Sequence, residues 1–165
     1  MGLASSKTSR ISDTCIYIYS LMRRKSIPAL PCMCAMGRRV ARARTQLYHE
    51  AMRRLGMRGT QFTILQALSL TGEIIQGDLG EILAMDTTTL TRTLEILGRR
   101  GWVAKRQGKD LRERWLRLTQ AGRAQFNTAI PAWHRVQARL RRELGSERWD
   151  ALLQLTQDVA TAAIE

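Results

Sequence analysis

The sequence contains few of the residues from which catalytic and metal sites are built. Its 165 residues include two histidines and three cysteines, whereas a structural zinc site needs about four such ligands. It shows no glycine-rich phosphate-binding loop, no usefully spaced pair of carboxylates and no Ser-His-Asp motif. We therefore expect neither a metal site nor an enzyme, and no cofactor.

Long apolar runs are also absent. None approaches the roughly 20 residues that span a bilayer, so no membrane partner is expected. Residues 1–31 lack helical periodicity and are predicted to form a loose N-terminal tail. Charged residues flank the short apolar stretch of this tail, with Asp13 before it and Arg23 after it, which is not the pattern of a secretory signal. We expect a cytoplasmic, nucleoid-associated protein.

Negative charge is scarce as well. The chain has 27 lysines and arginines against 14 acidic residues, a net charge of +13. An excess of this size indicates that the partner is nucleic acid or another anionic surface. Arginine outnumbers lysine and is the better residue for phosphates and base edges, although a GC-rich genome would produce the same bias.

A pair of helical patterns, residues 76–84 and 86–100, stands at the centre of the chain. In the second, Asp86 is a favourable N-cap and Gly101 is suited to end the helix. Its apolar face consists of Leu90, Leu94 and Leu97. The opposite face carries threonines and Arg92, which can contact base edges in a major groove. Two helices joined by so short a turn are typical of a helix-turn-helix; an ordinary amphipathic helix with a polar outer face is the alternative.

Two predicted strands, residues 102–106 and 114–118, follow this pair of helices. The charged segment between them, residues 107–113, is expected to form the tip of a hairpin. A helix-turn-helix followed by such a hairpin is a winged helix-turn-helix, which we assign to residues 57–118.

Long helical patterns lie on both sides of this predicted domain. One basic helix is expected in residues 32–56 and two helices in residues 119–165, with Thr119 capping the first and Ser146, after Gly145, capping the second. A small winged domain does not need all of these apolar faces to cover it, so we expect them to form a dimer interface. The residues expected there are Leu47, Trp133, Leu140, Trp149 and Leu153. The predicted fold class is mainly α with a small β-wing: a winged helix-turn-helix domain plus N- and C-terminal dimerisation helices.

In this order, the segments Met85-Asp-Thr-Thr-Thr-Leu-Thr-Arg, Asp110-Leu-Arg and Leu118-Thr-Gln-Ala-Gly resemble the MarR family of bacterial transcriptional regulators, over residues 34–164. The resemblance implies a repressor that binds a palindromic operator in double-stranded DNA as a homodimer. It also implies release by a small aromatic or phenolic ligand or by thiol oxidation. The recognition-helix residues expected to contact DNA are Thr87, Thr88, Thr89, Thr91, Arg92 and Arg99.

The same resemblance assigns the wing. The wing residues expected at the DNA are Lys109, Asp110, Arg112 and Arg114, where Arg112 enters the minor groove and Asp110 steadies it. Two departures from the family pattern remove helix caps: Arg58-Gly59 stands where relatives often have Thr-Pro, and Ile75 where they often have Thr or Ser.

Cys32 and Cys34 are the remaining candidates for chemistry. They begin a helix whose positive N-terminal end and nearby arginines would favour a reactive thiolate, so a redox switch is one hypothesis. The other is that they are small apolar residues at the dimer seam. The four tryptophans are expected in the core and interface rather than in a ligand cage.

Two other functions compete with a sequence-specific regulator. One is a nucleoid or RNA-binding protein that uses the same positive charge without reading sequence. The other is a thiol-dependent enzyme, which the Cys-x-Cys spacing makes a weaker candidate.

Overall fold

The structure is a computed structural model that describes residues 31–110 and 112–163. The predicted loose tail, apart from Pro31, lies outside these residues, as does Cys15. The chain divides into two compact units, Met1–Thr45 and Gln46–Glu165. The described part of the first unit is mainly the beginning of a helix, α1, which runs from Met33 to Arg53.

The second unit contains the remaining helices and strands. After α1 the described elements are α2 (Gly59–Thr71), β1 (Ile74–Ile75), α3 (Gln76–Leu83), α4 (Thr87–Arg99), β2 (Val103–Gln107), β3 (Arg114–Leu118), α5 (Gln120–Leu144) and α6 (Ser146–Ala162). Helices α3 and α4 with the β2–β3 hairpin form a winged helix-turn-helix, so the predicted fold class is confirmed.

The core of this unit lies between α2, α4, β3 and α5. The three predicted leucines of α4 are all buried. Phe62 of α2 is buried too, and its ring stacks on Phe126 of α5 at a centroid separation of 5.4 Å and on Trp133 at 6.3 Å. Burying a side chain of this size contributes about 1.5–3 kcal/mol. Trp133, which we expected at the dimer interface, therefore packs against the core of its own protomer.

The sheet is small, antiparallel and ordered β1–β3–β2. Ile75 of β1 pairs with Trp115, and Trp115 pairs with Arg106 of β2 on its other side. The central strand thus joins the wing to the short strand that leads into the helix-turn-helix.

The prediction that Ser146 caps the last helix is wrong. Ser146 is already the first residue of α6, and Gly145 ends α5 and begins α6 with φ 82° and ψ 154°. Because a single residue joins the two helices, no position is left between them for a capping side chain. The predicted cap at Thr119 is confirmed, since its hydroxyl accepts a hydrogen bond from the Gly122 N–H at 2.9 Å.

Candidate nucleic-acid interface

The outer face of α4 is held toward solvent by the opposite, buried face of the same helix. Asp86 caps the helix, because its carboxylate accepts the Thr89 N–H at 2.8 Å. Hydrogen bonding to Thr89 holds the pKa of the Asp86 carboxyl below its ordinary value of 3.8. Thr87, Thr88 and Arg92 are exposed beside this cap, and the first turn of the helix carries no acidic residue. This face therefore presents hydroxyls, methyls and a guanidinium together.

Thr91 differs from Thr87, Thr88 and Thr89, which are exposed. It is half-buried, and its hydroxyl oxygen accepts a hydrogen bond of 3.0 Å from the Gln76 side chain at the start of α3. The contact joins the two helices of the helix-turn-helix across the turn between them. Thr91, predicted to contact DNA, is therefore placed to fix the angle of the recognition helix as well.

The two arginines that precede Gly101, at the C-terminal end of α4, differ in their contacts. Gly101 takes a left-handed conformation with φ 70°, as predicted. Arg100 donates to the Gly56 carbonyl and lies over the Trp102 ring, with its Cζ 4.8 Å from the ring centroid. Both arginines are exposed, but Arg100 is held by these two contacts within the protein.

The wing tip is organised by its backbone and by Asp110. The Gly108 N–H donates to the Glu113 carbonyl, and the Glu113 N–H donates to the Asp110 carbonyl, both at 3.0 Å. The Asp110 carboxylate accepts the backbone N–H of Arg112 at 2.9 Å. The aspartate contacts the backbone of Arg112 rather than its guanidinium. Lys109, Asp110, Arg112 and Arg114 are all exposed.

The base of the wing contains an ion pair that sequence reasoning missed. Arg106 of β2 donates through two nitrogens to the Glu73 carboxylate, at 2.8 and 3.0 Å. The same guanidinium lies over the Trp115 ring, 5.0 Å from its centroid. The ion pair lowers the pKa of Glu73 and raises that of Arg106, first through the hydrogen bond and then through charge. A separation of 33 residues hides this pair from any local pattern.

A groove of about 900 Å³ lies between the helix-turn-helix and the wing. On one side it is lined by Gln76, Glu81 and Thr87, and on the other by Arg112 and Arg114. The recognition helix and the wing arginines therefore border one concave surface, which is mostly positive at its wing side.

Two helices begin without a side-chain cap, as expected from the two departures from the family pattern. Neither Arg58 nor Ile75, the N-cap residues of α2 and α3, makes a side-chain capping bond within the described chain. The start of α2 is partly compensated, because the Gln61 side chain accepts the Arg58 N–H at 2.9 Å. No equivalent bond is seen at the described start of α3.

The junction between the wing and α5 explains the glycine of the Leu-Thr-x-x-Gly motif. An added Cβ on Gly122 would lie 1.9 Å from the Trp102 carbonyl oxygen. That carbonyl also accepts the Thr119 N–H at 3.1 Å. Only glycine allows α5 to begin this close to the strand that follows the recognition helix.

Helix α6 presents apolar side chains to solvent. None of its residues, all of which the structure describes, is buried. Leu153 is 52% exposed and Leu155 61%, while Trp149 is half-buried. On the neighbouring elements Leu47 and Leu140 are half-buried. An exposed apolar face of this length is typical of a surface that another chain covers.

Cys32 and Cys34 are both exposed, Cys32 just before α1 and Cys34 in its first turn. Among residues 31–110 and 112–163, no group of three or more histidines, cysteines or acidic residues is placed to hold a metal ion. Within the same residues, no helix is long and apolar enough to cross a bilayer.

The fold and the exposed, positively charged surface define the chain as a winged helix-turn-helix protein. The model of the MarR family matches residues 59–113. The chain is 35% identical to the transcriptional regulator MosR of M. tuberculosis, whose structure in complex with DNA it matches over 80% of this chain and 96% of that one, with a TM-score of 0.73. It belongs to the MarR family of transcriptional regulators, and the predictions of that family and of a non-enzymatic protein are confirmed.

Two further likenesses have lower sequence identity. The uncharacterized HTH-type transcriptional regulator YwoH of Bacillus subtilis (strain 168) is 31% identical over 78 residues. The match spans 47% of this chain and 57% of YwoH, so the chain matches little more than half of that relative. The PcaV regulator of Streptomyces coelicolor, solved with its natural ligand, has a TM-score of 0.71 at 23% identity over 85% of this chain and 99% of that one, which shows the fold alone.

Proposed function

We propose that this protein is a repressor that binds a palindromic DNA operator as a homodimer. The observation that carries the proposal is the shared groove, which Thr87 at the exposed start of α4 borders together with the wing arginines Arg112 and Arg114. The structure of the related MosR in complex with DNA supports it.

Recognition is divided between α4 and the wing. Arg92, in the second turn of α4, follows a first turn that carries no acidic residue and can bind a guanine edge with two hydrogen bonds. Thr87, Thr88 and Thr89 lie beside it and supply hydroxyls and methyls. Arg112 at the wing tip enters the minor groove, where a narrow A·T tract concentrates negative potential. Lys109, Arg99 and Arg114 contact phosphates, which set affinity and register.

Dimerisation follows from the unpartnered face of α6. Leu152, Leu155 and Val159 recur at spacings of three and four residues, so they form one exposed apolar stripe along the helix. Such a stripe is typical of a surface that another chain covers. Trp149, Leu47 and Leu140, each half-buried, are assigned to the same interface. A two-fold dimer places its recognition helices in successive major grooves, so the half-sites lie about 10 base pairs apart.

Release of DNA is assigned to a small aromatic or phenolic ligand or to oxidation of Cys32 and Cys34. Their exposure supports access by an oxidant. Two thiols so close on one chain favour a mixed or intersubunit disulfide over a bond between them. The protein is proposed to act in the cytoplasm, on the nucleoid.

The test is selection of binding sites from a pool of random-sequence duplexes, followed by competition with unselected duplex. We expect an inverted repeat that resists competition and a particle of dimer mass by light scattering. Equal binding to selected and random duplex would favour the non-specific nucleic-acid-binding alternative. A monomer at micromolar concentration would refute the dimer.

The release mechanism is tested separately. Wild-type protein and a Cys32→Ser/Cys34→Ser variant are titrated with the selected duplex before and after mild peroxide. We expect peroxide to release the wild type and to leave the variant bound. If peroxide leaves wild-type binding intact, the thiols are packing residues and the ligand alone is the inducer.

A further inference from the structure

Four side chains form a connected chain from the end of α2 to the wing tip. Glu73, which follows α2, holds Arg106 of β2 through two hydrogen bonds. Arg106 lies over the ring of Trp115 on β3. The indole N–H of Trp115 in turn donates to the Glu113 carboxylate at 3.2 Å. Every member contacts the next, so side chains as well as the backbone of the sheet tie the wing to the turn between α2 and β1, just before the helix-turn-helix.

The last member of this chain acts on the wing tip. Glu113 closes the tip through its backbone bonds to Gly108 and Asp110. An added Cβ on Gly108 would lie 2.4 Å from a Glu113 carboxylate oxygen and 3.0 Å from the Trp115 indole nitrogen. The tip is therefore packed directly against the side chains that the ion pair orients. Arg112 lies within the same tip.

The geometry of Arg106 also argues against a direct contact with phosphate. Its Nε and one terminal nitrogen are both used by Glu73, and one face of its guanidinium plane is against Trp115. A planar guanidinium held on its edge and on one face is pre-organised within the protein.

We propose that Glu73 and Arg106 are positioning residues that set the wing so that Arg112 reaches the minor groove. The proposal rests on the DNA-binding function proposed above. The role of this exposed ion pair is then to position the wing and not to stabilise the fold, since single exposed pairs contribute little to stability.

The experiment compares Glu73→Gln and Arg106→Lys with wild type and with a matched control, Glu143→Gln. The control removes the same kind of exposed carboxylate, because Glu143 also accepts a hydrogen bond from an arginine, Arg139, at 2.9 Å. This pair lies on α5, away from the wing. Each protein is titrated with the duplex selected from the random pool, over a series of salt concentrations. Urea unfolding of each variant checks that the fold is retained.

We expect Glu73→Gln and Arg106→Lys to weaken binding to the selected duplex by roughly three- to tenfold, the effect of losing an oriented charge-assisted pair. Glu143→Gln should bind the duplex like wild type. The dependence of affinity on salt should not change, because no phosphate contact is lost. In an Arg112→Ala background, Glu73→Gln should have no further effect, since the residue that it positions is already missing.

A second measurement needs no DNA. The Trp115 indole N–H resonance should shift in Glu73→Gln and stay in place in Glu143→Gln, because Arg106 lies on that ring. If wild type selects no duplex, the proposed function fails and the resonance still tests the positioning contact.

Three results would overturn the proposal. Stronger binding with a steeper salt dependence in Glu73→Gln would mean that Arg106, once released, contacts phosphate. Unchanged affinity would make the pair an ordinary surface ion pair. An unmoved Trp115 resonance would show that the contact does not orient the wing base.

Discussion

Replacing Gly122 by alanine should damage the protein more than its single added methyl group implies. The new Cβ would lie 1.9 Å from the Trp102 carbonyl oxygen and 2.8 Å from its carbon. Both are backbone atoms, so no side chain can swing away, and the first turn of α5 must move by about 1.5 Å to restore ordinary contact distances. This shift also pulls on the Thr119 cap, whose hydroxyl bonds Gly122 and whose N–H bonds Trp102.

We expect Gly122→Ala to lower the free energy of unfolding by about 2–4 kcal/mol. Overpacking of a close-packed site costs about 1–3 kcal/mol, and loss of a helix cap costs about 1 kcal/mol. The measurement is urea unfolding at fixed protein concentration, because association changes the apparent stability. Gly77→Ala is the matched control, because a Cβ at that exposed helical position meets nothing within 4 Å. We expect this substitution to raise the free energy of unfolding by up to about 1 kcal/mol. A loss below about 0.5 kcal/mol in Gly122→Ala would refute the close-approach argument.

Two further substitutions test the recognition helix. Arg92→Ala should weaken binding to the selected duplex by about 1–3 kcal/mol and relax the preference at one base position; unchanged affinity would remove α4 from recognition. Asp86→Ala should destabilise the protein above pH 3.8, where the cap carboxylate is charged, and the difference from wild type should vanish as the pH falls through the lowered folded pKa. Urea unfolding at several pH values measures it, and a difference that persists at the lowest pH would contradict the charged cap.

Local patterns were sufficient to predict most elements of this fold. Gly101, which we expected to end the recognition helix, has a positive φ, and glycine takes that conformation without a steric penalty. The buried leucine face of α4 follows from helical periodicity alone. These features depend on residues a few positions apart, so one sequence is enough to find them.

The contacts that set the geometry of the site could not be predicted in this way. Thr91 is joined to Gln76 over 15 residues, and Arg100 to Gly56 over 44. Nothing in the spacing of either residue marks it as a partner. Threonines that looked alike in the sequence therefore separate into an exposed group and one that braces two helices.

We expect fewer cations to contact DNA than the composition suggests, and the salt dependence of binding tests this. The net charge of +13 counts every arginine equally, but Arg100 and Arg106 are used within the protein and Arg139 pairs with Glu143 on α5. The cations that remain exposed on α4 and the wing among those assigned to DNA are Arg92, Arg99, Lys109, Arg112 and Arg114. Each neutralised phosphate contributes about 0.9 to the slope of log affinity against log salt. Three of these, Arg99, Lys109 and Arg114, are assigned to phosphates, so we expect a slope of about −3 per protomer, measured by titrating the selected duplex between low and moderate salt. A slope near −12 per protomer would mean that the whole charge excess engages DNA, and it would contradict the division between structural and DNA-facing arginines.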